Sequence, residues 1–141
     1  PYNTVQHKMT KGEREDLYIS RFMSELKRFA LDYNISIHLV AHQVTPLKDD
    51  NGRYIKPDVN RIKGGGTFSD KADNVMFIWR PNRALDFSDT SVIFGSQKIK
   101  KQKLVGMPQE IHGIHFDVKT QRYMFNNYTP FTQIDEQRSK S

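Results

Sequence analysis

With 141 residues the chain has the length of one ordinary domain or part of one, and 36% hydrophobic against 27% charged residues indicates neither disorder nor a membrane span. The absence of cysteine excludes disulfides and Cys-based zinc sites and agrees with a reducing compartment. Lysine and arginine outnumber the acids 22 to 16, for a net charge of +6, and the excess gathers around residues 48–63 and 98–103, which makes polyanions candidate partners.

The chain opens at Pro1 with no methionine, so we expect a piece of a longer polypeptide. After an irregular lead-in over residues 1–12, a helix is predicted from Glu13 to Tyr33. There Ile19, Phe22, Met23, Leu26, Ala30 and Tyr33 recur at spacings of three and four and form one apolar face, with Arg14, Arg21, Glu25, Lys27 and Arg28 opposite. Asn34 suits the helix end. Ile35–Ala41, apolar at nearly every place, then reads as a buried strand, and a helix feeding such a strand predicts an α/β sheet.

A long polar loop is expected over Gln43–Asn60, and loops of that length in compact domains are usually functional or disordered. Next comes Arg61-Ile62-Lys63-Gly64-Gly65-Gly66, where three glycines between basic residues would let the backbone approach an anion closely. A short helix over Thr67–Ala72 and a strand over Val75–Trp79 follow, with Pro81–Asp89 as a connector. Further strands are predicted at Ser91–Ile99, Glu110–Asp117 and Arg122–Phe125, the last two as a hairpin around Lys119-Thr120-Gln121. The tail from Gln133 is polar.

His42, at the end of the predicted strand, is placed to meet a phosphate or a reacting water, or simply to be a hydrogen-bonded strand-end histidine. Lys98 and Lys100 alternate with Ile99 and so project to one side of their strand, where two cations can grip a polyphosphate or remain a solvated face. Lys48, Arg53, Lys56 and Lys63 can neutralise nucleic-acid phosphates and Tyr54 can stack on a base, although Asp49, Asp50 and Asp58 dilute the patch. A phosphate loop of the G-x-x-x-x-G-K-[ST] type, an H-E-x-x-H zinc motif and a G-x-S-x-G elbow are all missing from the sequence.

In order, these elements resemble the second half of the RecA-like motor domain of hexameric replicative DNA helicases: the DnaB family, the phage primase-helicases and Twinkle. The likeness runs from Pro1 to about Tyr128. It rests on strand-His42, the long loop, Lys63-Gly-Gly-Gly, Ser69–Asp73, the apolar strand ending at Arg80, and Lys98-Ile-Lys100 before a glycine-bearing turn. The resemblance implies a partial RecA-like α/β fold: a mixed sheet flanked by helices, ending in a β-hairpin. Residues 1–132 would be the C-terminal portion of a motor domain lacking Walker A and Walker B, and 133–141 a tail.

The family pattern further implies that His42 is a γ-phosphate sensor, with Gln43 as its neighbour or substitute. Lys98 and Lys100 would reach the nucleotide of an adjacent subunit, Lys100 standing where the family has an arginine finger. Arg80 and Tyr128 would contact the nucleotide base. Lys48, Arg53, Lys56, Arg61, Lys63, Gly64, Gly65 and Gly66 would lie on DNA-binding loops of a central channel. ATP or another NTP with Mg²⁺, single-stranded DNA, a homo-hexameric ring and an attached or partner primase are the implied cofactors and partners. No resident metal and no membrane partner are implied. The setting would be the cytoplasm of a bacterium or phage-infected cell, or an organellar matrix. Two other readings stand beside this one: a RecA-type recombinase-like ATPase and a non-catalytic single-stranded nucleic-acid-binding module. With the phosphate-loop strand absent, the RecA-like sheet would have a gap and open edges.

Overall fold

The computed structural model describes residues 9, 11–43, 45, 47–126 and 128–129. The described chain forms two compact units, one drawn from Pro1–Pro46, Pro57–Met76 and Ser96–Pro108, the other from Leu47–Lys56, Phe77–Gly95 and Gln109–Ser141. The expected tail over 133–141 lies outside the described residues.

The first unit is built on helix α1, Glu15–Asp32. Its first turn carries Glu15 and Asp16, whose negative charge complements the helix dipole, and Arg14 pairs with Asp16 at 2.8 Å. The helix stops where the residue types say it should: Asn34 takes the left-handed conformation (φ 50°), and the Ile35 N–H donates back to Ala30 O at 3.0 Å. Ile19 is fully buried and clusters with Tyr18, Val59 and Phe68; Phe22, Met23, Leu39, Ala41, Ile62 and Val75 pack around them. Burying a side chain of Ile19's size contributes about 1.5–3 kcal/mol. The predicted polar face is exposed throughout, but Tyr33, expected on the apolar face, is also exposed, and Tyr18 takes a core place instead.

One expectation about the middle of the chain is corrected. Ile35–Ala41 is not a strand: no described segment pairs with it, Leu39 and Ala41 reach the core, and Ile35, Ile37 and Val40 face outward. Its apolar pattern records what the side chains prefer, whereas a strand also needs a hydrogen-bonded neighbour, and no described segment supplies one. The described part of the 43–60 stretch is a loop, as expected, with local order inside it. Residues 47–55 fold into a miniature hairpin, with Asp49 N–H donating to Arg53 O (2.9 Å), Ile55 N–H to Leu47 O (3.0 Å), and Lys48 bridged to Tyr54. The Asp49 carboxylate closes its turn by accepting from the Asn51 and Arg53 amides.

A short 3-10 turn, Val59–Arg61, leads through Ile62 and Lys63 into helix α2, Gly65–Lys71. Strand β1, Asn74–Trp79, follows after a break at Ala72-Asp73. Strand β2, Ser91–Ile99, is followed by the single-turn helix α3, Gln102–Val105.

The second unit contains strands β3, Glu110–Asp117, and β4, Arg122–Phe125, and the 3-10 turn Pro81–Ala84. β2 to β4 thus occupy the residues predicted for them. The sheet order is β1-β2-β3-β4. β2 and β3 pair antiparallel with Val92 opposite Ile114 and Phe94 opposite Ile111; the extra β3 residue forms a bulge that Gly113 accommodates at φ 79°. β3 and β4 pair antiparallel around a turn in which Asp117 accepts from the Lys119 amide and the Thr120 hydroxyl. The Lys100 N–H donates to Asp73 O, so the end of β2 returns beside the start of β1 in the antiparallel sense. Among the described residues the sheet is a meander rather than the mixed sheet that the resemblance implies, since no described segment pairs with Ile35–Ala41.

Candidate functional site

The glycine triplet is shaped first by packing. Gly64 precedes α2 at φ 76°, and a Cβ there would overlap Ile19 Cδ1. A Cβ on Gly65 would overlap Val59 O and lie 2.7 Å from Asn60 Cα. Those two glycines let the start of α2 press on α1 and on the 3-10 turn, whereas a Cβ on Gly66 would meet nothing within 4 Å. Lys63 pairs with Glu15 at 3.0 Å while its own side chain stays 72% exposed, and Arg61 is exposed beside it. An exposed pair of this kind is worth about 0.2–1 kcal/mol, so a phosphate can replace the carboxylate at little cost.

Lys98 of β2 and Lys100 just after it reach the end of α2 and the residues that join it to β1. Lys98 Nζ donates to Ser69 O at 2.6 Å and to Asp70 O at 3.3 Å, placing a positive charge on the carbonyl end of α2, where the helix leaves acceptors unpaired and its dipole is negative. Lys100 Nζ lies 3.1 Å from Asp73 Oδ1, and Lys27 Nζ, arriving from α1, lies 2.9 Å from the same oxygen. The Lys27 hydrogen bond, with Lys100 adding to it against the opposing effect of burial, holds the Asp73 carboxyl below the usual carboxylate range. Asp73 in turn raises Lys27 above the ordinary lysine value. Lys27 and Lys100 thus share the Asp73 carboxylate, while Lys98 is held by the carbonyls of Ser69 and Asp70 nearby in sequence.

His42 is exposed, and the neighbouring Gln43 is committed to the fold, donating from Nε2 to Asp58 O at 3.3 Å. Asp58 belongs to a polar knot: its Oδ1 accepts from the Asn60 amide (2.9 Å) and from Gln97 Nε2 (3.2 Å), while Gln97 Oε1 accepts from the Val59 N–H (3.0 Å). The Asn60 amide, and after it Gln97, keep the Asp58 carboxyl low despite the desolvation that opposes them.

The second unit holds the other basic residues. The 47–55 hairpin, Lys56, Trp79, Pro81 and Asn82 line an open recess of about 470 Å³. Lys48 Nζ stands 5.7 Å from the centre of the Tyr54 ring, and Trp79 Nε1 donates to Tyr54 O at 2.9 Å. Arg53 lines the recess; Lys56 does too, but pairs with Glu110 at 2.9 Å. Arg80 is only partly exposed and spends Nη2 on Asp89 O (2.9 Å), so its guanidinium braces the connector before β2. Tyr128 exchanges backbone hydrogen bonds with Phe125, and its side chain is half exposed.

The candidate residues thus divide between the units: His42, Gln43, Arg61, Lys63, the glycines, Lys98 and Lys100 in the first, and Lys48, Arg53, Lys56, Arg80 and Tyr128 in the second. Sequence reasoning left out Lys27 and Asp73 from the cation cluster and Trp79 from the recess. Lys27 looked like any solvated helix residue, and nothing in the sequence joins it to a carboxylate 46 positions away. Trp79 did carry a signal, as an aromatic residue ending a strand next to a basic segment. No group of three or more His, Asp or Glu able to hold a metal ion occurs among the described residues. No helix among them is long and apolar enough to cross a membrane.

No protein-family model matches the sequence. Over 131 residues, 92% of this chain, it is 27% identical to the Twinkle homolog protein, chloroplastic/mitochondrial, of Arabidopsis thaliana, and it spans 18% of that protein's length. The chain is accordingly similar to one region of that protein.

Proposed function

We propose that this chain is the C-terminal part of the RecA-like motor of a hexameric, ATP-dependent replicative DNA helicase. The observation that carries the proposal is the likeness to the Twinkle homolog along nearly the whole chain. The arrangement of the cations agrees with it. Lys98 and Lys100 reach one segment and are held there by carbonyls and a carboxylate, acceptors that phosphate oxygens can replace.

In this reading a neighbouring subunit presents the nucleotide, and Lys98 and Lys100 offset charge on the transferring phosphoryl group. Exposed His42 senses the γ-phosphate, and Gln43 is the weaker candidate because it is tied to Asp58. Arg80 and Tyr128 flank the base. DNA is contacted by Lys48, Arg53 and Lys56 of the second unit and by Arg61, Lys63 and Gly66 of the first, with Gly64 and Gly65 shaping the latter loop from within. ATP with Mg²⁺ is the substrate, single-stranded DNA the track, and a homo-hexamer the working assembly, with or without a primase. The phosphate loop would come from sequence outside this chain, so the 141-residue piece is expected not to hydrolyse ATP by itself.

The test is unwinding of a forked DNA duplex by the longer protein that carries this sequence. ATP-dependent strand separation that is lost in Lys98→Met and Lys100→Met is the expected result; ATP hydrolysis by monomers of the isolated chain would overturn the division of labour between subunits. A second reading, a single-strand-binding module without catalysis, draws on the Tyr54 and Trp79 recess with its basic rim. It would be favoured if the longer protein bound single strands with a steep salt dependence and never unwound a duplex.

A further inference from the structure

Two lysine ammonium groups from distant parts of the chain share a single carboxylate oxygen: Lys27 Nζ at 2.9 Å and Lys100 Nζ at 3.1 Å from Asp73 Oδ1. Their backbones are placed by regular structure. Lys27 stands on the middle of α1, Lys100 follows directly on β2, and the Lys100 N–H bond to Asp73 O fixes the carboxylate's own backbone between them. Lys98 approaches the same segment from the neighbouring in-line position of β2. The side chains of Lys27, Asp73 and Lys100 are 44%, 50% and 55% exposed, so both ion pairs border solvent.

A lone oxygen held by two ammonium groups is the arrangement a terminal phosphate oxygen would adopt, and a phosphate offers more acceptors and more charge than a carboxylate. With three lysines and one aspartate the cluster carries a surplus of two positive charges, which Asp73 alone cannot balance. Because the ion pairs are half exposed, each is weak enough to be exchanged.

We propose that Lys27 is a third phosphate-contacting cation of the Lys98–Lys100 site, and that Asp73 is an internal placeholder whose carboxylate yields its position to a polyphosphate oxygen. The proposal rests on the reading that Lys98 and Lys100 meet phosphate. It adds a residue from outside their strand and a built-in competitor that keeps the site closed to weakly held anions. Binding a polyphosphate separates Asp73 from its lysines, and the α2–β1 junction thereby registers that the site is filled.

The experiment titrates inorganic tripolyphosphate into the 141-residue chain at low ionic strength and follows the lysine ammonium and aspartate carboxyl NMR signals. Lys27→Met, Lys98→Met, Lys100→Met and Asp73→Asn are compared with Lys119→Met, a basic residue of the β3–β4 turn. The three cluster lysine variants should each weaken binding by roughly 3–10-fold, a range suited to exposed charges. Asp73→Asn should tighten it by roughly 2–5-fold, because the neutral amide no longer competes. In the unsubstituted chain, the Lys27 signal should shift and the carboxyl titration midpoint of Asp73 should rise as tripolyphosphate binds. Loss of binding in Lys98→Met and Lys100→Met with Lys27→Met unchanged, or weaker binding by Asp73→Asn, would overturn this inference while leaving the phosphate reading in place. Equal binding by every lysine variant, Lys119→Met included, would overturn both. The unsubstituted chain decides even if a variant fails to fold, since a Lys27 signal and an Asp73 midpoint that stay fixed as the ligand binds contradict the proposal.

Discussion

The glycine triplet and the lysine cluster both looked like anion sites in the sequence, yet the fold uses them in opposite ways. At Gly64 and Gly65 the missing side chains are filled by protein, by Ile19 Cδ1 and by the backbone of Val59 and Asn60. At Lys27, Lys98 and Lys100 the charges are held by replaceable acceptors in partly or largely exposed positions. A glycine-rich basic motif therefore divides into residues that permit close packing and residues that remain available to a ligand, and contact geometry separates them where residue type does not.

The sharpest way to break that contrast is to add one methyl group at a time. Gly65→Ala should destabilise the chain by about 1–3 kcal/mol, as overpacking against backbone does, whereas Gly66→Ala should leave stability unchanged or raise it by up to about 1 kcal/mol through helix propensity. Urea unfolding of the two variants reads the difference directly; equal effects would mean that the triplet is not divided by packing.

Lys63 lies between the two behaviours, since it adjoins the packed glycines but its charge is exposed. Lys63→Ala should alter stability by no more than about 0.5 kcal/mol, while weakening single-strand binding in the intact assembly and lowering the slope of log affinity against log salt by about one. Nucleotide affinity should stay largely intact. A loss of nucleotide affinity with unchanged DNA binding would assign the loop to the other ligand.

The smallest effect expected is the pH response of the cluster. Asp73 has its carboxyl lowered in the folded chain, so its stabilising contribution is present above the unfolded value, about 3.9, and is lost as pH falls through the folded value. Lys27 is raised, so its contribution is present below the unfolded lysine value, about 10.4, and is lost as pH rises through the folded one. Asp73→Asn should accordingly cost most near neutrality and nothing at strongly acidic pH. A difference between the two proteins that persists unchanged in acid would contradict the ion-pair account.

Local signals carried the structure where local contacts decide it. Ser91–Ile99, Glu110–Asp117 and Arg122–Phe125 were legible as strands, the last two with the turn between them, because their partners follow one another along the chain. The apolar run of α1 likewise placed Ile19 in the core and its charged residues outside. Ile35–Ala41 defeated the same reasoning because a strand is a relation between two segments, and Tyr18 did so because its burial beside Ile19 depends on tertiary contact. The site was half legible. Alternation put Lys98 and Lys100 on one side of β2, but the meeting of Lys27 with Asp73 depends on tertiary contact alone.

The most direct test of the central claim is single-strand-stimulated ATP hydrolysis by the longer protein with Lys100→Met in every subunit. The account predicts a fall of about a thousand-fold or more, as for loss of a trans-acting cation, with single-strand binding retained. Hydrolysis within twofold of the unsubstituted protein would contradict it.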